Sequence, residues 1–560
     1  MFLRPITTAY RQAGRYREVA NVLFRHGFGY LVDQVGLDHL VPWRRRLFGR
    51  SPDGVAHLTP AERVRLVLEE LGPTAIKLGQ FLSARRDLIP PALARELEKL
   101  QDEVPPVDFE QVRPVVEAEL GAPLEELFAA FDPKPLAAAS LAQVHPATLP
   151  DGRPVVVKVQ RPGIEERIEA DLAILHDLAA LLERRTELGK IYALTEVAEE
   201  FAHTIRAELD FRLEGHHADR FRENFAGDDR VHIPEVIWSH TGRQVLTLER
   251  VYGVKITDVA GLRAAGHDPT AVAQRIAEAI LTQVFDHGFF HADPHPGNIF
   301  VSPEGRITFM DFGIVGYVDP KLREELAELA IALVRHDVDE LVRRLVELSF
   351  VSRRIDIHRL RYEAARLLRR YYAVPIRDIR LRHSFEEFLS LAHRFHLRLP
   401  PDLTLLAKTL MTTEGILITL NPSVSVADIA EPFARRLMAE QASPDRLLRQ
   451  LVSTVSDLAV NAAALPRRLN TVLGQAATGE LSVRIERAEA EVSTGALEPA
   501  ANRLALALVA MAVTIGAVVL LQNGPGPRVF DVSVLGLLTA AFAVFLTLTL
   551  LFAVLRTGKL

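Results

Sequence analysis

Apolar positions recur every three to four residues along most of this chain, the spacing of helices that each bury one face. The first such stretch, Ala9 to Phe24, mixes aromatics and arginines and predicts a helix that packs on the protein or lies on a membrane surface. A clean helix start follows at Thr59-Pro60-Ala61-Glu62: threonine caps, proline presets φ, and Glu62 closes a capping box. That helix ends near Gly72-Pro73, and PTAIKLGQFLSARRDLIP begins another at once. On it Lys77 and Gln80 are, by periodicity alone, ordinary surface positions. Further helices are expected from about Pro91 to Leu100 and, beyond Pro105-Pro106, to Leu120.

The period then changes. Pro135 to Gly163 reads as a loop, a strand, a turn at Asp151-Gly152 and a second strand, Pro154 to Gln160. Helical spacing returns over residues 165–217, and strands are expected at Val231–Trp238 and Gln244–Arg250. An amphipathic helix runs from Pro269 to His287, and after Gly313 the pattern is helical to about Arg503. Within that region Pro400 to Pro422 reads as a buried helix, in which Lys408 and Glu414 are expected to be structural. Ser443 to Leu497 is amphipathic and suits a stalk or a membrane-surface helix. No internal repeat is present.

Two uncharged runs stand near the C-terminus, Leu504–Gln522 and Val532–Leu555. At about 1.5 Å per residue each can cross a hydrocarbon core of about 30 Å, the first barely and the second with tilt. The connector NGPGPRVFD is rich in turn residues, which predicts a transmembrane hairpin. Arg484, Arg487 and Arg503 precede it and Arg556 and Lys559 follow, against Arg528 alone in the connector. The positive-inside rule then puts both ends, and the large soluble part, in the cytoplasm at the inner membrane. The N-terminal segment has no uninterrupted apolar stretch, so no secretory signal is expected.

Composition narrows the chemistry. The chain has 560 residues, 48% hydrophobic and 25% charged, which allows several well-packed domains. The net charge of −6, without a long basic run, gives nucleic-acid binding no electrostatic support. No cysteine is present, which excludes disulfides, thiolate metal sites and cysteine nucleophiles.

The chemical centre is HADPHPGNIF, His291 to Phe300, followed by FMDFG ending at Gly313. Asp293 and Asn298 stand five apart and Asp311-Phe312-Gly313 follows, the order and spacing of a kinase catalytic loop and its metal-binding triplet. Phosphoryl transfer needs a carboxylate to orient the attacking hydroxyl, here Asp293. It also needs hard oxygen ligands for Mg²⁺, here Asn298 and Asp311. His291, Asp293 and His295 also have the spacing of a metal cluster, but that reading leaves Asn298 and the DFG unexplained.

Lys158, in VVVKV, matches the kinase lysine of V-A-I-K; a lysine inside a β-branched run is costly without an anionic partner. Where a glycine-rich loop should cover the phosphates stand Ala137, Ala138, Ala139 and Ser140. Alanine tolerates positive φ poorly, so this loop cannot drape over phosphates and nucleotide handling should differ from that of ordinary kinases. In TIRAELDFRLEGHHADRF, one helix would offer Glu214 to Lys158, and Glu208 with Asp210 to Lys77. QVLTLERVYG occupies the hinge, where backbone around Glu249 to Val251 would meet adenine.

With KLGQ, PLAAASLAQVH, VVVKV, ELDFRLE, HADPHPGN and DFG in order, residues 60 to 430 resemble the UbiB family of atypical protein-kinase-like proteins. Leu141 and Phe211 are small departures from its motifs. The resemblance implies an α+β, protein-kinase-like two-lobe fold with an N-terminal helical K-x-G-Q extension, a helical C-terminal extension and the transmembrane hairpin. It implies that Lys77 and Gln80 lie across the active site, paired with Glu208 and Asp210, and block the groove for a protein substrate. ATP and Mg²⁺ are the implied cofactors, and a prenyl-lipid or quinone precursor, the membrane and other quinone-biosynthesis proteins the implied partners. The expected domains are 1–58 (N-terminal segment), 59–130 (extension), 131–252 (N-lobe), 253–440 (C-lobe), 441–503 (stalk) and 504–555 (hairpin). The expected function is ATP hydrolysis or small-molecule phosphorylation in support of ubiquinone or related lipid synthesis. A nucleotide-switched pseudokinase scaffold and an aminoglycoside-phosphotransferase-like kinase are the alternatives. Packing of two hairpins or two N-terminal helices allows a homodimer.

Overall fold

A computed structural model of the chain describes residues 4–30, 57–85, 88–100, 104–185 and 193–335, most of 337–436, and short stretches between 509 and 546. The amphipathic stretch Ser443–Leu497 lies outside the described residues. The chain forms two compact units, Met1–Arg449 and Gln450–Leu560.

In the first unit α1 (Arg4–Arg25) is a packed extension, longer than the periodicity suggested. Val19, Ala20 and Val22 are buried against Val67, Leu71 and Leu178. Arg15 fastens the helix, donating to the Asp171 carboxylate at 2.8 Å and to Leu71 O at 2.6 Å. At the start of α2 (Pro60–Leu71) both halves of the capping box form: Thr59 Oγ1 accepts from Glu62 N, and Glu62 accepts from Thr59 N. The KLGQ residues lie on α3 (Pro73–Ala84). Its glycine is a packing residue, because a Cβ on Gly79 would come within 2.2 Å of Leu100 Cδ1 and 2.9 Å of Leu68 Cδ1. The extension continues with α4 (Pro91–Leu97) and α5 (Phe109–Leu120).

An antiparallel sheet follows, with strands β1 (Ala130–Phe131), β2 (Ala137–Ala138), β3 (Ala142–Thr148) and β4 (Pro154–Gln160). After the short β5 (Val231–His232), which belongs elsewhere, β6 (Val245–Glu249) completes the order β1-β3-β4-β6, with β2 against β3. Side chains alternate across β4. Val155, Val157 and Val159 pack with Val112 and Val116 of α5, whereas Val156 faces the main core on the other side. Lys158 shares the Val156 face, so the lysine is delivered to the cleft by strand parity.

His145 on β3 is buried and neutral. Its Nδ1 lies 2.8 Å from Asp132 O and donates to it, while Nε2 lies 2.8 Å from Gln143 Nε2 and accepts. The Gln143 amide is oriented by Val107 N, which donates to its Oε1 at 2.9 Å. Burial holds the imidazole below its usual pKa of 6.5, and a second ring proton would face the Gln143 N–H. The unfolded chain therefore binds more protons than the native one just below that value, and stability is lost as pH falls through it. Denaturant melts between about pH 7 and about pH 5 are expected to show this slope, and His145→Gln to reduce it. An unchanged slope would refute the assignment.

The predicted continuous helix through ELDFRLE is two helices. After α6 (Ile164–Arg185), α7 (Leu194–Glu208) stops at Glu208 and α8 (Phe211–Asn224) begins anew. Asp210 is the cap between them, in extended conformation, accepting from Arg212 N at 3.2 Å. An aspartate that bonds the backbone two residues on favours a cap over a helix interior, which helical spacing alone cannot reveal. The expected strand Val231–Trp238 likewise shrinks to β5, with a 3₁₀ turn at Trp238–His240.

Beyond β7 (Val254–Lys255), α9 (Pro269–Thr282) runs into a π-helical turn, Gln283–His287. Gly288 then adopts a φ of 63°, where a Cβ would lie 2.7 Å from Val318 O. This sharp exit feeds β8 (Phe289–His291), which pairs with β11 (Val315–Tyr317). Between them β9 (Ile299–Val301) and β10 (Ile307–Phe309) form the hairpin of the sheet β5-β10-β9-β7. The helices α10 (Pro320–Val334), α11 (Val338–Leu348), α12 (Ile357–Tyr371), α13 (Leu381–Arg394) and α14 (Pro401–Leu420) complete the unit. Among the described residues α14 is the one helix long and apolar enough to cross a membrane, yet most of it is buried. Ile416, Leu417 and Leu420 pack with Ile276 and Ile280 of α9, so it is a core helix as its pattern predicted.

The second unit contains two apolar helices, Met511–Leu521 and Leu537–Leu546. Arg528–Val529 pairs with Val532–Ser533 between them. The second apolar run therefore opens as a short strand, because its β-branched start follows a turn-rich connector.

Candidate active site

Four segments converge on one cleft. Lys158 arrives from β4 and Glu214 from the first turn of α8; Lys158 Nζ lies 2.7 Å from Glu214 Oε2 and 3.0 Å from Oε1. Asp311 Oδ1 stands 3.7 Å from the same nitrogen. Glu214 is nearly fully buried, whereas Asp311 is half open to the cleft. Burial opposes charge on Lys158, but Glu214 and Asp311 outweigh it and hold the ammonium above the usual lysine pKa. Lys158 in turn holds the Asp311 carboxyl below its ordinary range. The Lys158 ammonium also lies 5.1 Å above the Phe211 ring.

Asp311 has a φ of 61°, the one non-glycine residue in the left-handed region among those described. Its neighbour Phe312 explains how this is held. Phe312 is buried, 5.2 Å from Phe221 of α8 and 5.7 Å from His291, ring centre to ring centre. His217 Nδ1 lies 3.0 Å from Phe312 O. The α8 helix thus grips the DFG turn with Phe221 and His217 and Lys158 with Glu214.

His291 is a structural member of the loop. Its Nε2 lies 3.0 Å from Met310 O and its Nδ1 accepts from Asp293 N at 3.1 Å. Both ring nitrogens are used, and no cluster of three acidic or histidine side chains suited to a metal forms among the described residues, so the H-x-D-x-H reading fails. Asn298 sits where Met310 N donates to its carbonyl at 2.9 Å, directly before Asp311. The β9–β10 hairpin thus brings Asn298 and Asp311 together, and their oxygen donors suit a hard divalent cation such as Mg²⁺.

Asp293 is met by a residue that the sequence reading assigned to the core. Lys408, from α14, lies 2.8 Å from Asp293 Oδ1. Burial works against the Asp293 carboxylate, but Lys408 outweighs it and keeps the pKa below the ordinary range. A lysine inside an apolar run was itself the signal, the same one that singled out Lys158. Glu414 is structural as expected, accepting from Arg382 N at 2.7 Å.

The alanine-rich segment is folded into the sheet. Ala137 and Ala138 pair with Val144 and Gln143, and Ala139 N donates to Ala142 O at 2.8 Å. Ser140 is fully buried, and its hydroxyl finds no protein partner among the described residues. At the hinge Glu249 ends β6, its carboxylate 3.2 Å from His232 Nε2; Arg250 N donates to Pro154 O, and Val251 leads out of the sheet.

The KLGQ helix α3 packs against α7 and α14. Lys77 Nζ lies 3.2 Å from Glu208 Oε2, both largely buried, while Gln80 is half-buried one turn on. Asp210 is engaged with Arg212, which donates from Nε at 2.8 Å and from Nη2 at 2.6 Å. The two E-x-D acids thus serve different cations, because the chain breaks between them.

A lysine–glutamate pair, a catalytic loop and a DFG turn on a mixed helix-and-sheet scaffold define a kinase-like protein. Residues 99–345 match the ABC1 atypical kinase-like domain, 364–425 the UbiB helical domain and 489–556 the ABC1/UbiB kinase-like C-terminal domain. The chain belongs to the UbiB family of atypical kinase-like proteins. It is 38% identical over 517 residues to a "Probable protein kinase UbiB" of Xanthomonas campestris pv. campestris strain 8004, covering 90% of this chain and 93% of that one. A protein of the same description from Marinobacter nauticus is 38% identical over 440 residues, 78% of this chain and 79% of that one. Among solved structures, the Rv3197–erythromycin complex of Mycobacterium tuberculosis is similar at 26% identity, covering 66% of this chain and 93% of that chain with a TM-score of 0.46.

Proposed function

We propose that this protein is a membrane-anchored, Mg²⁺-dependent ATPase or small-molecule kinase that supports ubiquinone or related isoprenoid-quinone synthesis. The observation that carries the reading is the cluster of Lys158, Glu214 and Asp311 within bonding range, above the loop that holds Asp293 and Asn298. In this reading Lys158 positions the α- and β-phosphates, Glu214 orients Lys158, and Asp293 orients the attacking oxygen. Asn298 and Asp311 would hold Mg²⁺, which when bound offsets the charge of the phosphates. Ala137 to Ser140 border the nucleotide without draping over its phosphates, and backbone at Glu249–Val251 meets adenine. Residues 131–252 and 253–440 act as the two lobes.

The Lys77–Glu208 pair supports the view that α3 closes the groove against a protein substrate, with Gln80 and Asp210 beside it. The acceptor is then water or a small lipid. Apolar side chains stand exposed on the helices of the second unit, among them Ile515, Val519, Leu538 and Phe545, which supports a membrane anchor across residues 504–555. The UbiB description of its relatives supports the link to quinone lipids.

Phosphate release from Mg-ATP, with and without liposomes carrying a phenolic prenyl lipid, tests this. Turnover stimulated by the lipid is expected, along with recovery of the protein in membranes after an alkaline wash. Nucleotide binding with no turnover under any lipid would instead favour a nucleotide-switched scaffold. That second reading is favoured by one observation, a Lys408 that already occupies the catalytic carboxylate.

A further inference from the structure

The catalytic loop offers no cation of its own: between His291 and Asn298 the sequence is HADPHPGN, without lysine or arginine. His295, two residues after Asp293, is turned back into the loop, its Nδ1 accepting from Gly297 N at 3.2 Å. Lys158 is held by Glu214 and Lys77 by Glu208. A cation beside the carboxylate nevertheless exists, and it comes from outside residues 99–345, the stretch that matches the ABC1 kinase-like domain. Lys408 lies on α14, within the part of the chain that matches the helical domain, and reaches Asp293 at 2.8 Å.

The helix that carries it is fixed to the catalytic machinery. Thr409 Oγ1 donates to His291 O at 3.3 Å, and Asp402 Oδ1 accepts from Tyr317 N at 3.0 Å on the strand after the DFG. Positions 402 and 409 are seven residues, about two turns, apart and share a face, and Lys408 stands about 100° around the helix from Thr409. Lys408 and Asp293 keep 31% and 40% of their side chains exposed, so the pair borders the open cleft and is not sealed in the core.

We propose that Lys408 is a catalytic residue with two stations, pairing with Asp293 in the nucleotide-free cleft and moving to the γ-phosphate of ATP during transfer. The proposal rests on the phosphoryl-transfer reading above. In the transfer the bond from the acceptor oxygen to the γ-phosphorus forms as the bond to the β–γ bridging oxygen breaks. The acceptor proton passes to Asp293, ADP leaves, and Lys408 stays protonated throughout. A carboxylate clamped by an ammonium is a poor proton acceptor. Departure of Lys408 to the phosphate restores the basicity of Asp293 when it is needed and puts a cation where charge develops.

The full-length protein, its Lys408→Met and its Lys408→Arg variants distinguish the outcomes. Lys408→Met is expected to lower kcat on the order of 10²-fold with little change in ADP affinity, and to erase any preference for ATP over ADP. Lys408→Arg, which keeps the charge, is expected to recover about tenfold of the lost rate. Unaltered thermal melting in either variant separates this from a folding defect. Wild-type turnover with Lys408→Met within about threefold of it overturns the proposal. If the wild type binds ATP yet releases no phosphate, the transfer reading falls. The ATP-over-ADP preference then decides: its survival in Lys408→Met overturns the γ-phosphate contact.

Discussion

Asp311→Asn is expected to lower Mg²⁺-dependent phosphate release on the order of 10²–10³-fold while leaving the fold intact. The substitution is chosen for its backbone. Asp311 sits at a φ of 61°, a conformation that asparagine accepts and β-branched residues do not. The amide oxygen can also still accept from Gly313 N, as Asp311 Oδ1 does at 3.4 Å. What is lost is the negative charge that faces Lys158 and would hold the metal. Phosphate release and calorimetric binding of Mg-ATP, measured beside a thermal melt, read the two effects apart. Metal-dependent turnover equal to wild type would show that Asp311 is not the metal ligand.

Lys158→Met is expected to have the largest effect on stability. It leaves Glu214, 7% exposed, without its cation, and removing one partner of a buried pair costs about 3–5 kcal/mol. Because Lys158 itself is about a quarter exposed, a cost at or below the bottom of that range, about 2–3 kcal/mol, is expected. The sign with pH is defined. Burial already raises the Glu214 carboxyl above the ordinary 4.5, and Lys158, which offsets this, is gone in the variant. A raised carboxyl favours the native state while protonated, so stability is lost as pH rises through its native pKa. The deficit of Lys158→Met should therefore shrink as pH falls toward that value, and Glu214→Gln in the same protein should relieve it. Denaturant melts across pH of the two single variants and the double variant measure this coupling. Additive costs without pH dependence would mean that the pair is not coupled as drawn.

Much of the site was legible because its parts obey local rules. Asp293, Asn298 and Asp311 are close in sequence, and a short hairpin, β9–β10, brings Asn298 and Asp311 together. Lys158 announced itself as a charge in a β-branched strand, and strand parity alone sets the face it occupies. The Lys158–Glu214 and Lys77–Glu208 pairs join residues far apart in sequence, but motif order was enough to match them. The break at Asp210 was not legible, since helical spacing runs through Glu208, Asp210 and Glu214 whether or not the backbone is interrupted. Capping by an aspartate wins there over continuation, and it redirects that acid to Arg212.

By itself, then, the sequence determined the motif set and its order, the family-specific extension, the apolar C-terminal runs and the strand-borne lysine, each read from residues close together along the chain. Only the tertiary structure decided which cation reaches Asp293. Lys408 lies 115 positions beyond that carboxylate, on a helix whose apolar pattern speaks for burial. Burial and the ion pair with Asp293 coincide there because α14 packs on α9, Ile416, Leu417 and Leu420 fill the core, and Thr409 bonds to His291 O of the catalytic loop. Periodicity reports that a helix is buried; it does not report what the helix is buried against.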